Sequence, residues 1–147
     1  MRSKDRIIVM AFLASVLFIG FMIGCSSNGS PEQPEQPVAA KDDPSFSQDI
    51  QSIFNSNCTA SSCHGSSAQA GLTLISGQSY NNLVNVDSSQ VPSKKRVLPS
   101  DAANSYLVNK IEGTQTVGGR MPLNSSALSS TQIQNIKNWI NQGAENN

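Results

Sequence analysis

The 147-residue chain predicts an all-α domain on three observations. Two amphipathic stretches, each opened by a Ser-x-x-Gln capping signal, bracket residues 45–144. Two shorter helical patterns lie between them, and no apolar–polar alternation runs long enough to build a sheet. With only Phe46, Phe54, Tyr80, Tyr106 and Trp139 as aromatics, and much Ser, Asn, Gln and Gly, so small a domain buries little by itself and calls for a staple.

Two segments of different character precede the domain. Arg2, Lys4 and Arg6 introduce an apolar run from Ile7 to Ile23, the charged and hydrophobic parts of an export signal over 1–24. The run ends Met22-Ile23-Gly24-Cys25, which resembles a bacterial lipobox. That resemblance implies a membrane lipoprotein on the periplasmic or other extracytoplasmic face, held by a lipidated Cys25. Ser26 resembles the signal for outer-membrane sorting. The alternative is an uncleaved anchor, for which Ile7 to Ile23 is at the short end of spanning length. Residues 25–44 continue with Pro31, Pro34 and Pro37 and the repeated Pro-Glu-Gln, a composition that favours an extended tether over a packed element.

The first helix is predicted over about 46–57, with Ser45 and Gln48 as its capping pair. Phe46, Ile50, Ile53 and Phe54 share one face of it. Tyr80, Leu83 and Val84 suggest a second helix over about 78–86, capped by Ser76. Ser100 or Asp101 would cap a third over about 102–111, with Tyr106, Leu107 and Ile111 inward. Ser129 and Gln132 open the last, whose apolar face is Ile133, Ile136, Trp139 and Ile140 and whose stop is Gly143. The connectors 65–77, 87–99 and 112–128 are loops. The folded domain is thus expected over 45–147.

Past residue 24, seven Lys+Arg stand against nine Asp+Glu, a balance that offers no basic excess for nucleic acid. The one basic run, Lys94-Lys95-Arg96, is either a solvated loop or a docking patch for an acidic partner. Asp87, Asp101 and Glu112 are too scattered for a paired-carboxylate site and read as surface residues or caps. Neither a phosphate loop, a nucleophile elbow nor a dinucleotide fingerprint is present in the sequence.

The chemistry concentrates in Cys58-Thr59-Ala60-Ser61-Ser62-Cys63-His64. His64 is the sole histidine, and Met121, in Gly118-Gly119-Arg120-Met121-Pro122, is the sole methionine past the signal. Two thiols can meet the two vinyl groups on one edge of a porphyrin, an adjacent imidazole can meet the iron, and a distant thioether can close the other face. The spacing is C-x₄-C-H, two residues longer than the common C-x-x-C-H, and the extra residues are small enough to loop out. The rival reading is a disulfide between Cys58 and Cys63, with His64 incidental and Met121 a core filler. Zinc would lack a fourth ligand unless Asp or Glu supplied it.

On these residues the stretch 45–143 resembles a class I monohaem cytochrome c domain of the variant C-x₄-C-H kind. The resemblance implies a small helical fold with long loops around a covalent haem c. Cys58 and Cys63 would be its thioether bonds, and His64 and Met121 the axial ligands of its iron. Phe54, Ile136 and Trp139 match the family's helix crossing, whereas Ile50 stands where a small residue is usual and would spread the two helices. Leu72, Leu74, Val97, Leu98 and Pro99 are the expected crevice lining. The function so implied is a membrane-tethered, monomeric electron carrier between redox partner proteins, not an enzyme. The alternatives are a haem sensor or peroxidase-like protein without a firm sixth ligand, and a disulfide-stapled binding module without haem.

Overall fold

The computed structural model describes residues 38–147; the signal over 1–24, Cys25 and the tether as far as residue 37 lie outside the described residues. Among the described residues the elements are helices and turns, joined by long loops, with two isolated bridges in place of any strand. No described helix is long and apolar enough to cross a membrane.

The chain enters its first helix through a π-helical turn, Phe46–Ile50, which passes directly into α1, Gln51–Asn57. Ile50 N–H donates to Ser45 O at 3.2 Å and Gln51 N–H to Phe46 O, the wide ladder of a π turn. The Ser45 hydroxyl accepts from Gln48 N–H as expected, but the return bond of the capping pair comes from Asp49, whose carboxylate accepts from Ser45 N–H at 3.0 Å. Lys41 clamps the same carboxylate at 2.6 Å.

Short α2, Ser79–Leu83, is less than the 78–86 expected, and Ser76 does not cap it. Val84 leaves in extended conformation and Asn85 turns left-handed at φ 59°, because Asn85 N–H is drawn to Val97 O at 3.0 Å. The third helix, α3, is Tyr106–Glu112, starting some four residues later than the capping signal at 100–101 suggested. Its first N–H groups are satisfied from outside, Tyr106 by Lys95 O and Leu107 by Arg96 O, both at 2.9 Å. Asp101 instead holds a turn through Asn104 N–H at 3.0 Å. Gly113 ends α3 at φ +81°, the left-handed cap that glycine adopts freely. The last helix, α4, is Ser130–Asn141, with the full reciprocal box between Ser129 and Gln132.

The core joins these elements around Ile50, Phe54, Leu83, Val97, Ile136, Trp139 and Ile140, all essentially without exposure. α4 meets the first helix over its π turn, with Ile50 wholly buried. The ring that faces Trp139 is Phe46, with centroids 5.1 Å apart, and Phe54 packs edge-on behind it. Tyr80 adds a T-shaped contact to Phe46 at 5.2 Å and donates its hydroxyl to Ala144 O at 2.9 Å. A buried polar tie links the helices: Gln51 donates to Leu74 O at 2.9 Å and accepts from the Ser79 hydroxyl.

Folded structure begins before residue 45. Residues 38–42 lie along one side of α4, held by Thr131 on Val38 O, Asn135 on Lys41 N–H, Asn138 on Lys41 O and Gln142 on Asp42 O. The last residues of the expected tether therefore pack with the domain.

Candidate functional site

Cys58 closes α1, its N–H on Phe54 O at 2.8 Å, so the helix delivers the first thiol directly to the interior. The four-residue spacer then folds as a closed loop. Cys63 N–H reaches Ala60 O at 2.8 Å and His64 N–H returns to Cys58 O at 3.0 Å, bringing the imidazole back beside the first cysteine. Gly65 makes that closure possible: a Cβ there would sit 2.4 Å from Thr59 O. Both thiols are free, and burial, with Cys63 nearby adding to it, pushes the Cys58 thiol up to about 11.

His64 is oriented by the segment after it. Its carbonyl accepts from Leu74 N–H at 2.7 Å, and its ring Nδ1 lies 3.1 Å from Leu72 O. A carbonyl can only accept, so Nδ1 is the donor here, and in the neutral ring Nε2 is the nitrogen left to meet a ligand. The turn ahead of Leu72 is strained: Ala68 and Ala70 stand at φ 45° and 56°, and Gly71 at 66°. Two groups hold it. Arg96 donates to Ala70 O and Gly71 O at 3.3 and 3.2 Å, and the Ser89 hydroxyl to Ala70 O at 2.9 Å.

Met121 comes from the loop after α3, with its N–H on Lys110 O at 2.8 Å and a cis peptide to Pro122. The loop is clipped to α3 by the Tyr106 hydroxyl and the Lys110 ammonium, which both donate to Val117 O, at 3.0 and 3.3 Å. The stem of Arg120 lies over the open face of Gly113, 3.1 Å from where a Cβ would be.

Cys58, Cys63, His64 and Met121, predicted as one site from the sequence, all line one cavity of about 630 Å³. That size falls in the range of roughly 300–1,000 Å³ usual for ligand pockets. A smaller pocket of about 90 Å³ adjoins it, sharing Cys58, His64, Ala70, Gln90, Lys110 and Met121 as walls. Of the expected crevice residues, Leu72 and Leu74 line this pocket; Val97 is buried in the core instead, and Leu98 and Pro99 lie on neither wall. Phe54, Leu83, Leu107, Ile111 and Leu128 supply the apolar lining in their place.

Among the described residues, Arg96 and Lys110 line the cavities and no Asp or Glu does. Desolvation lowers the pKa of both cations. The basic run is used internally: Lys95 pairs with Asp87 at 2.6 Å, Lys94 donates to Asn109 at 3.0 Å, and Arg96 is bound to carbonyls. Glu112 pairs with Lys137 at 2.8 Å. No group of three His, Cys, Asp or Glu side chains among the described residues is arranged to hold a bare metal ion.

Three contributors to the site escaped the sequence reading. Gly65 was legible as a glycine directly after the histidine, and Lys110 as a cation between Tyr106, Leu107 and Ile111 on the inward face of α3. Arg96 was marked only as part of the basic run, and its hold on the turn had no local signal, since those acceptors are 25 and 26 positions away. Compared with known protein families, characterised proteins and solved structures, the chain has no match.

Proposed function

We propose that this protein is a monohaem c-type cytochrome of class I, a carrier of single electrons tethered by a lipidated Cys25 to the exported face of a bacterial membrane. What carries the proposal is that two thiols, an imidazole and a thioether, from segments 57 positions apart, line one cavity. The donor set fits the group. Cys58 and Cys63 would hold it through thioether bonds. His64 would be the proximal ligand through Nε2, because the Leu72 carbonyl already engages Nδ1 and fixes the orientation of the ring. Met121 would take the opposite face from a loop that α3 holds in place.

Bound there, haem supplies a one-electron couple, and thioether with imidazole favours its ferrous form. The residues would do the rest: Phe54, Leu72, Leu83 and Ile111 would give it an apolar wall, and His64 and Met121, both engaged in holding the iron, would disfavour substrate chemistry there. The protein would hand electrons between redox partner proteins as a monomer, with no bond made or broken in a substrate.

The first test is a pyridine haemochrome spectrum after acid-acetone extraction of protein expressed with c-type maturation. An α band that stays with the polypeptide is expected; a colourless protein with a reducible Cys58–Cys63 bond would replace the proposal with a disulfide-stapled module. Met121→Ala should then lower the reduction equilibrium constant by about tenfold or more, 59 mV for one electron, and admit added imidazole to the iron. A variant with the wild-type ferric spectrum would point to a haem sensor or peroxidase-like protein instead.

A further inference from the structure

We infer that Lys110, with Gln90 beside it, forms a carboxylate-binding corner of the cavity, and, resting on the haem reading above, that it takes a propionate of the porphyrin. Lys110 is only 8% exposed and sits on the inner side of α3, its ammonium 5.9 Å from the centre of the Tyr106 ring. Its ammonium makes one hydrogen bond, to Val117 O at 3.3 Å, out of three it can donate. The ion pairs among the described residues are Lys41–Asp49, Lys95–Asp87 and Lys137–Glu112, so no carboxylate of those residues balances it. A cation held out of water without an anion is unfavourable, and the imbalance is relieved by an anionic ligand in the space it faces.

Gln90 stands beside it. A Cβ on Gly118 would lie 3.1 Å from both Gln90 Nε2 and Lys110 Nζ, so the two donors flank the same bare Cα, whose φ of +72° also suits glycine. The Tyr106 hydroxyl, which donates to Val117 O at 3.0 Å, lies 3.5 Å from Gln90 Oε1, at the acceptor end of that amide. Lys110 and Gln90 line both cavities, on segments other than the one that carries Cys58 and Cys63. The ligand this lining favours has an apolar body and an acid group. A porphyrin fastened at its vinyl edge to Cys58 and Cys63 has that chemistry, its propionates being on the edge remote from the vinyl groups.

The test uses haem-loaded protein, shown first to retain its α band after extraction. Lys110→Met and Lys110→Arg are compared with wild type by redox-difference infrared spectroscopy of the carboxylate stretch and by midpoint potential. Loss of the cation should shift the carboxylate band and lower the reduction equilibrium constant about tenfold, 59 mV for one electron, since a nearby positive charge favours the ferrous form. Lys110→Arg should stay within about twofold of wild type. Carboxylate bands at wild-type positions in Lys110→Met overturn the inference, including the case where the variant merely frees Met121 and binds added imidazole. If Lys110→Met does not fold, Gln90→Leu decides: it should shift the same band, and an unshifted band overturns the inference. Haem that washes out of the wild-type protein overturns the function proposed above and this inference with it.

Discussion

Single atoms decide whether the long spacer can be used at all. The loop from Cys58 to His64 closes because Gly65 presents bare Cα to Thr59 O, where a methyl group would intrude to 2.4 Å. The obstacle is backbone, which cannot swing aside like a side-chain tip. Gly65→Ala should cost about 1–3 kcal/mol as local overpacking, visible as a lower urea midpoint; an unchanged midpoint would refute the close approach. A second single-residue effect runs through Arg96. Its bonds to Ala70 O and Gly71 O restrain a left-handed turn, and that turn sets the Leu72 carbonyl that orients His64. Arg96→Gln should lose about 1–3 kcal/mol and, more tellingly, the protection of the His64 Nδ1 proton in nitrogen-15 NMR spectra. Retained protection would show that the turn holds without the guanidinium.

Among elements, the helices most legible in the sequence are those whose signals are local. The box at Ser129 and Gln132 and the stripe of Ile136, Trp139 and Ile140 lie within one helix, and α4 forms as expected. α2 and α3 were less legible because their ends are set by the loop between them. Asn85 binds Val97 O, and Tyr106 and Leu107 take their first acceptors from Lys95 and Arg96, partners that no capping pattern encodes. At the first helix a capping signal was present but its actual closer is Asp49. The Lys41 hydrogen bond holds the Asp49 carboxyl below its ordinary range, partial desolvation opposes it, and the Ser45 N–H adds to the lowering. A carboxyl lowered in the folded state stabilises it above the ordinary carboxylate pKa and loses that contribution as pH falls through the lowered value. Asp49→Asn should therefore reduce stability at neutral pH and flatten the acid limb of a stability–pH profile measured by thermal unfolding. An acid limb as steep as wild type would assign the acid sensitivity to other groups.

On the scale of the whole molecule, the two ends of the described chain close on the helices that bracket the domain. Residues 38–42 follow one side of α4, while Asn147 returns to the start of the first helix, accepting from Phe46 N–H at 2.7 Å and Ser47 N–H at 2.8 Å. Trp139 donates its indole N–H to Glu145 O at 2.8 Å, tying the same tail to the core. Deleting residues 145–147 leaves those helix-entry N–H groups without their acceptors and should lower stability by about 1–3 kcal/mol, by analogy with losing a cap. Chemical denaturation measures it, and an unchanged free energy would mean water replaces the tail at no loss.

What the sequence determined by itself was whatever depends on neighbours in the chain: the all-α class and the capped terminal helices; Cys58, Cys63, His64 and Met121 stood out only because they are so few of their kind. Tertiary structure alone decided which carbonyl would orient His64, that Arg96 would be a strap, that Lys110 would face a cavity lined by no Asp or Glu among the described residues, and that Val97 would be core while Leu72 and Leu74 became wall. The physical reason is the reach of the forces. Periodicity and capping act within a turn or two, whereas burial and acceptor choice depend on segments that meet only after the chain has folded.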